Sequence, residues 1–299
     1  MIISRRYYLI RCVIYSALKG KITIKIKELF VIMLIIGELL NATRKKIKEA
    51  VLARDAAYLQ DVAKQQDEAG ADYIDLNVAT GSGKQEKEIE DMQWAINLIR
   101  EVTEKPLTID TTSFEVMKAG LEVHGPGAMI NSISAEDGRL YPFLKLAREY
   151  DCTAIVLPVR DAGIPRDTET RMQISREILE AAEKEGVSKE RLYFDPLTLP
   201  LGVEDNAGAE TLRTLQEMKA QLGLLTTMGL SNISYGLPLR TLVNRTYLTL
   251  AIFAGLDSAL INPLDKAVMS SMRAALLSLG KDPYCGTYLR AFRKDSLVV

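Results

Sequence analysis

Residues 71–78 read ADYIDLNV, and this stretch decides the fold class of the chain. Its apolar run ends in Asp75 and Asn77, two residues apart and so on one face of a strand. A helical pattern closed by Gly70 precedes it, so the stretch reads as a parallel strand with a polar C-terminal end. The same grammar recurs. PLTID ends at Asp110, AMIN at Asn131, RLYFD at Asp195, GLSN at Asn232 and SALIN at Asn262. Upstream, MLIIGE (33–38) is a first apolar run closed by Gly37-Glu38 and followed by Asn41. CTAIVLPV (152–159) is a further strand, and TTMGLSNIS (226–234) reads as the seventh. Helical patterns separate the runs at 44–53, 56–69, 87–103, 114–123, 140–150, 168–185, 209–222, 239–254 and 267–279, the last clear helix.

Eight strand–helix units within the ~250 residues typical of the architecture predict an α/β chain folded as a (β/α)8 TIM barrel. A doubly wound open sheet alternates in the same way. It normally has a glycine-rich phosphate turn after the first strand, whereas Gly37-Glu38-Leu39-Leu40-Asn41 holds one glycine. In a barrel the polar strand ends form one rim, the place where active sites are built.

The 299 residues suffice for a substantial core. A net charge of −1 argues against general attraction to nucleic acid or to an anionic membrane, so neither is expected as a partner. The three cysteines, Cys12, Cys152 and Cys285, give neither a disulfide framework nor a zinc spacing, which suits a reducing cytoplasm. The single histidine, His124, reads as a helix-end residue and leaves no room for a multi-histidine metal site. Residues 1–32 are basic and apolar, with no acidic residue before Glu28. Charges interrupt every apolar run there, against both a signal peptide and a spanning helix. The working domain is therefore expected at 33–299, with 1–32 an N-terminal extension or a misassigned start.

Each polar strand end has a plainer reading, because Asp and Asn also cap helices and close turns. Asp110-Thr111-Thr112-Ser113 stands just before a helix, and Asp195-Pro196 has the form of a turn. The set is harder to dismiss. Glu38, Asn41, Asp75, Asn77, Asp110, Asn131, Asp195, Asn232 and Asn262 line one rim with almost no Lys, Arg or His among them. Carboxylates accept from ring N–H and amino groups, and amides do both jobs, so the rim suits a neutral heterocycle. A divalent cation also fits such ligands. A phosphate does not, since anions want cations and N–H donors.

The blocks IIGELLN (35–41), DLNV (75–78), IDTT (109–112), MINSIS (129–134), GIPRDTETR (163–171), YFDPLTLP (193–200), GLSNIS (229–234) and LVNRTYL (242–248) carry a resemblance. In order and spacing, from Met33 to about Phe292, the chain resembles the pterin-binding methyltransferases. These include the methyltetrahydrofolate:corrinoid/iron-sulfur protein methyltransferases, the folate methyltransferases of O-demethylation systems and the folate module of methionine synthase. The resemblance implies a pterin-binding type of TIM barrel, commonly a homodimer, that moves a methyl group in one-carbon metabolism. Its substrates would be tetrahydrofolate or 5-methyltetrahydrofolate and a corrinoid (cobamide).

Carried over block by block, Asp110, Asn131 and Asp195 should bond the pterin, and Asn232 should sit near N5 as the catalytic residue. Glu38, Asn41, Asp75 and Asn77 should shape the pocket floor, and Arg240 should lie near the glutamate tail. No metal ligands are implied. A resident cobamide normally comes with an Asp-x-His-x-x-Gly loop, absent around His124, so the corrinoid should be carried by a separate protein. Tyr235 departs from the family, where a polar amide is usual. Both directions of transfer are compatible with these residues. Dihydropteroate synthase uses the same barrel and pocket but needs a cation near Ser231-Asn232-Ile233-Ser234, where the sequence offers none. A folate-binding protein without chemistry and a metal-dependent barrel lyase are the remaining alternatives.

Overall fold

The computed structural model describes residues 33–81 and 83–299. The expected extension 1–32, and Cys12 with it, lies outside the described residues. Strands β1 (Leu34–Asn41), β2 (Tyr73–Asn77), β3 (Leu107–Asp110), β4 (Met129–Ser134), β5 (Thr153–Leu157), β6 (Leu192–Phe194), β7 (Leu225–Thr226) and β8 (Ser258–Ile261) alternate with helices. These are α1 (Lys45–Ala53) and α2 (Ala56–Glu68) after β1, then α3 (Gln85–Arg100), α4 (Phe114–His124), α5 (Leu140–Glu149) and α6 (Thr168–Lys184). They continue with α7 (Ala207–Glu217), α8 (Arg240–Ala254), α9 (Lys266–Ser278) and α10 (Gly286–Arg293).

The strands form one sheet in the order β7-β6-β5-β4-β3-β2-β1-β8, every paired neighbour parallel. A parallel bridge between Gly229 and Leu260, with Leu260 N donating to Met228 O at 2.9 Å, brings the two edges round to each other. The expected (β/α)8 barrel is the observed fold.

Side-chain parity explains how the barrel is filled. Leu34, Ile36, Tyr73, Met129, Ile155, Tyr193 and Leu260 pack together as one cluster. Two residues further along the same strand faces come Asp75, Asn131, Asp195 and Asn262. The opposite parity, with Ile74, Leu76, Leu107, Ile109, Ile130, Val156 and Phe194, belongs to the main core shared with the helices. On β2, β4, β6 and β8 the inward face thus changes from apolar to polar towards and just past the C-terminal end of the strand, whereas on β5 it stays apolar through Leu157.

Two strands carry an extra residue. Gly37 pairs with Ile74 and Leu40 with Leu76, so three steps of β1 match two of β2. The run expected to close at Gly37-Glu38 therefore continues to Asn41 through a bulge. Leu39 N, displaced from the ladder, donates instead to Oε1 of the buried Gln66 on α2 at 3.0 Å. In β4, Asn131 pairs with Ile155 and Ile133 with Val156, leaving Ser132 over; the Asn131–Ser132 peptide is cis.

The expected seventh strand is shorter than 226–234. β7 spans two residues, and Leu230–Asn232 is a turn of 3-10 helix, as the short polar pair Ser231-Asn232 after Gly229 favours. Strand β6 stops one residue before Asp195, which precedes a proline. Helix α10 lies beyond the last expected helix; at eight residues it is too short to show a periodic pattern.

Candidate active site

The turn-and-cap reading of the strand ends is tested directly by the geometry. Ser113, not Asp110, caps α4, accepting from Val116 N, and Asp265 caps α9. Asp110 is left to accept two amides on one oxygen: Asn77 Nδ2 at 3.0 Å and Asn41 Nδ2 at 3.2 Å. Both asparagines also hold turns, for Asn41 Oδ1 accepts from Thr43 N and Asn77 Oδ1 from Ala79 N, each at 3.0 Å. For these two residues, turn and site are the same feature. Asn131 Nδ2 donates to Asp75 Oδ1 at 3.1 Å. Asn262 only closes a turn, to Leu264 N.

Strands β1 to β4 therefore bring Asn41, Asp75, Asn77, Asp110 and Asn131 into two adjoining carboxylate–amide clusters. Their electrostatics are coupled. Burial raises the Asp75 carboxyl well above its ordinary range, and the nearby Asp110 charge raises it further. Burial also raises Asp110, opposed by the Asn77 and Asn41 amides, which favour its charged form. Glu38, beside them on the bulge of β1, is likewise raised by burial and bonds Ser231 Oγ at 2.8 Å.

The second half of the mouth is built by the loops after β6 and β7. Burial lifts Asp195 to about 6 against backbone N–H bonds from Leu197, Gly229 and Thr198 and the charge of Arg171. Leu197 N reaches Asp195 Oδ1 at 2.7 Å, so this carboxylate does close the turn that its Pro196 suggested. Asn232 is exposed, and its amide has no hydrogen-bond partner among the described residues. A Cβ on Gly229 would stand 3.0 Å from Asn232 Nδ2, so glycine there leaves room for the asparagine. Arg240, at the first turn of α8, donates to Ser231 O at 2.6 Å and to Ser234 Oγ at 3.0 Å, holding the loop that presents Asn232.

Cations are closer to the rim than its strand ends suggest. Arg44 forms an ion pair with Glu38 at 2.8 Å, and Arg240 grips the Ser231–Ser234 segment that the sequence leaves without a cation. Both lie in loops or helix starts outside the strand-end grammar. Ser231 was legible only as the neighbour of Asn232, and Arg171 only as the end of the GIPRDTETR block. His124 ends α4 as expected; it is buried and Nε2 accepts from Leu107 N at 3.0 Å.

A parallel barrel whose C-terminal mouth gathers buried carboxylates and side-chain amides belongs to the class of barrels that hold a small polar ligand there. More particularly, the chain belongs to the pterin-binding enzyme family, whose pattern it matches over residues 37–262. It is 34% identical over 271 residues to the methylcorrinoid:tetrahydrofolate methyltransferase of Eubacterium limosum, covering 89% of this chain and 98% of that protein. It is 31% identical to the methionine synthase of Mycobacterium leprae over 82% of this chain, which is 22% of that longer protein. Solved dihydropteroate synthases share the fold. The Yersinia pestis structure superposes with a TM-score of 0.62 at 15% identity, covering 83% of this chain and 93% of that one. The Vibrio fischeri structure gives 0.60 at 18%, covering 84% and 94%.

Proposed function

We propose that this protein is a methyltransferase that moves a methyl group between N5 of tetrahydrofolate and the cobalt of a corrinoid carried on a separate protein. The observation that carries the reading is the set of asparagine amides paired with the buried Asp75 and Asp110, in a chain that matches a methylcorrinoid:tetrahydrofolate methyltransferase over nearly its whole length. Asp110, Asn131 and Asp195 contact the pterin ring, which is rich in N–H donors and ring acceptors. Glu38, Asn41, Asp75 and Asn77 fix the pocket floor, and Arg240 holds the loop of Asn232 and faces the glutamate tail.

The chemistry is an in-line displacement. Towards folate, the N5 lone pair attacks the methyl carbon, the cobalt–carbon pair returns to cobalt, and N5 gives up its proton. In reverse, the amine leaves only when N5 is protonated or strongly hydrogen-bonded as charge develops. Asn232 is not a proton source. Its free amide accepts from, or orients, a protonated N5 or a water, and the rest of the pocket holds N5 in line. The match to a protein named for transfer from methylcorrinoid to tetrahydrofolate favours that direction here. The engaged His124 supports a corrinoid that arrives on its own protein. We further propose that 33–299 is the working unit, with 1–32 an extension, and that the enzyme is a cytoplasmic homodimer. Free Cys152 and Cys285 are compatible with that compartment, and among the described residues no helix is long and apolar enough to cross a membrane.

The test mixes the purified chain anaerobically with tetrahydrofolate and methylcobalamin, or a methylated corrinoid protein, and follows the cobalt spectrum and the folate product. Loss of the methylcobalt band with appearance of methyltetrahydrofolate is expected. Asn232→Ala should lower kcat on the order of a hundredfold while leaving folate affinity within a few-fold. Tight folate binding with no turnover on any methylcorrinoid would instead identify a folate binder. Turnover of a pterin diphosphate with aminobenzoate would identify a dihydropteroate synthase, the reading favoured by the placement of Arg240 beside Ser231 and Ser234.

A further inference from the structure

Arg171, on α6, is 1% exposed and heads the largest fully buried side chains of the described residues. Its hydrogen-bond partners there are main-chain carbonyls: Nε donates to Pro165 O at 3.0 Å and Nη1 to Pro196 O at 2.9 Å. Desolvating a guanidinium against two neutral oxygens is unfavourable, and an uncharged side chain of the same size would fill the space without that cost. The two carbonyls belong to different loops, one after β5 and one after β6. Pro196 directly follows Asp195.

The turn that Arg171 holds is fastened at three successive residues. Arg171 takes the carbonyl of Pro196, Leu197 N reaches back to Asp195 Oδ1, and Thr211 Oγ1 donates to Leu197 O at 3.2 Å. Leu197 stands at φ 65°, a left-handed conformation that a non-glycine residue keeps only where its surroundings impose it. The imposed turn fixes a buried carboxylate just past the C-terminal end of β6. We propose that Arg171 is the positioning residue of Asp195. It clamps the Asp195-Pro196-Leu197 turn from beneath, ties that turn to the β5 loop through Pro165, and lends its positive charge to the carboxylate. The proposal rests on the reading of Asp195 as a pterin contact.

The charged groups around the pair are few. Asp195 is faced by Arg171 from α6, by the Tyr247 phenol from α8 and by the N–H groups of Leu197, Thr198 and Gly229. Arg171 is faced by Glu210 of α7 and by Asp167 and Glu204 in the flanking loops. Burial pushes Asp195 up to about 6, and Arg171 is the cation that opposes the rise.

The experiment measures tetrahydrofolate affinity by anaerobic calorimetry from pH 5 to 8.5 on the full chain and its Arg171→Gln, Arg171→Lys and Asp195→Asn variants. In the unaltered protein, affinity should fall as pH drops through about 6. Arg171→Gln keeps one donor and loses the charge. Its fall should move up by about one pH unit, with affinity reduced about twofold near pH 7 and by up to about tenfold below pH 6. Arg171→Lys keeps the charge but cannot hold both carbonyls, so its affinity should drop at every pH with the midpoint unmoved.

A folded Arg171→Gln with the original midpoint overturns the proposal, as does Arg171→Lys with the original affinity throughout. Should Arg171→Gln fail to fold, Arg171→Lys decides alone. The underlying reading fails separately and visibly, if the unaltered chain binds no tetrahydrofolate or if Asp195→Asn reproduces its affinity and pH profile.

Discussion

Asp195 pits site chemistry against stability. Its carboxyl stands at about 6 in the folded chain against an ordinary value of 3.8. Between these two pH values the folded state holds a proton that the unfolded state has lost, so stability falls as pH rises. The group's favourable contribution is complete below the unfolded value and gone once pH has passed about 6. A shift of this size corresponds to roughly 3 kcal/mol above the folded value. Asp195→Asn keeps an acceptor for Leu197 N and removes the buried charge. The ligand-free variant should therefore melt several degrees higher than the parent at pH 8. At pH 5 the gap should narrow to roughly half, because the unfolded carboxyl is still ionised there, and it should close only below the unfolded value of 3.8. Melting curves at the two pH values check this; an equal gap at both would exclude the charge as its cause. Folate binding by the same variant should fail, the trade between stability and activity expected of a site built from buried charge.

At the scale of elements, the bulge in β1 shows how strand and helix cooperate to aim a side chain. The extra residue puts Glu38 within 2.8 Å of Ser231 Oγ on the far side of the sheet closure. It also strands Leu39 N, which Gln66 of α2 rescues. This works because residue 37 has no Cβ: one built there would lie 2.4 Å from Gln66 Oε1. Gly37→Ala should push the amide aside and leave a buried N–H unpaired, destabilising the fold by about 1–3 kcal/mol. A urea midpoint that drops at constant m-value is the expected signature. Adding Gln66→Ala to Gly37→Ala should cost less than the sum of the two singles, since they spoil one interaction. Strict additivity would show that Gln66 is not the partner that matters.

For the whole molecule, the expected homodimer has a candidate face. On α8, Leu250 and Phe253 are 47% and 72% exposed on adjacent turns, and Leu242, 50% exposed, lies about two turns earlier on the same side, apolar surface of the kind that marks an interface. Phe253→Glu should convert a dimer into a monomer in sedimentation velocity while folate affinity stays within a few-fold, because this surface lies outside the rim. A parent chain that sediments as a monomer at micromolar concentration would refute the assembly.

The barrel is legible in the sequence because its signal is periodic and repeated: eight apolar runs, most ending in Asp or Asn, each divided from the next by a helical pattern. The rim residues are legible for the same reason, since parity alone puts Asp75 beside Asn77 and Asn131 above Met129. Local chemistry could not choose between capping and binding for Asp110; the choice fell to Ser113, which took the cap and left the carboxylate to two amides from other strands. Nor do neighbouring residues encode the bond to Glu38 from Ser231, 193 positions along the chain, or the grip of Arg171 on Pro196, 25 positions away. A residue's alternation and propensity are written within a few positions of it. Which buried charge finds which oxygen depends on loops that closure of the barrel brings together, and that pairing exists only once the sheet has closed.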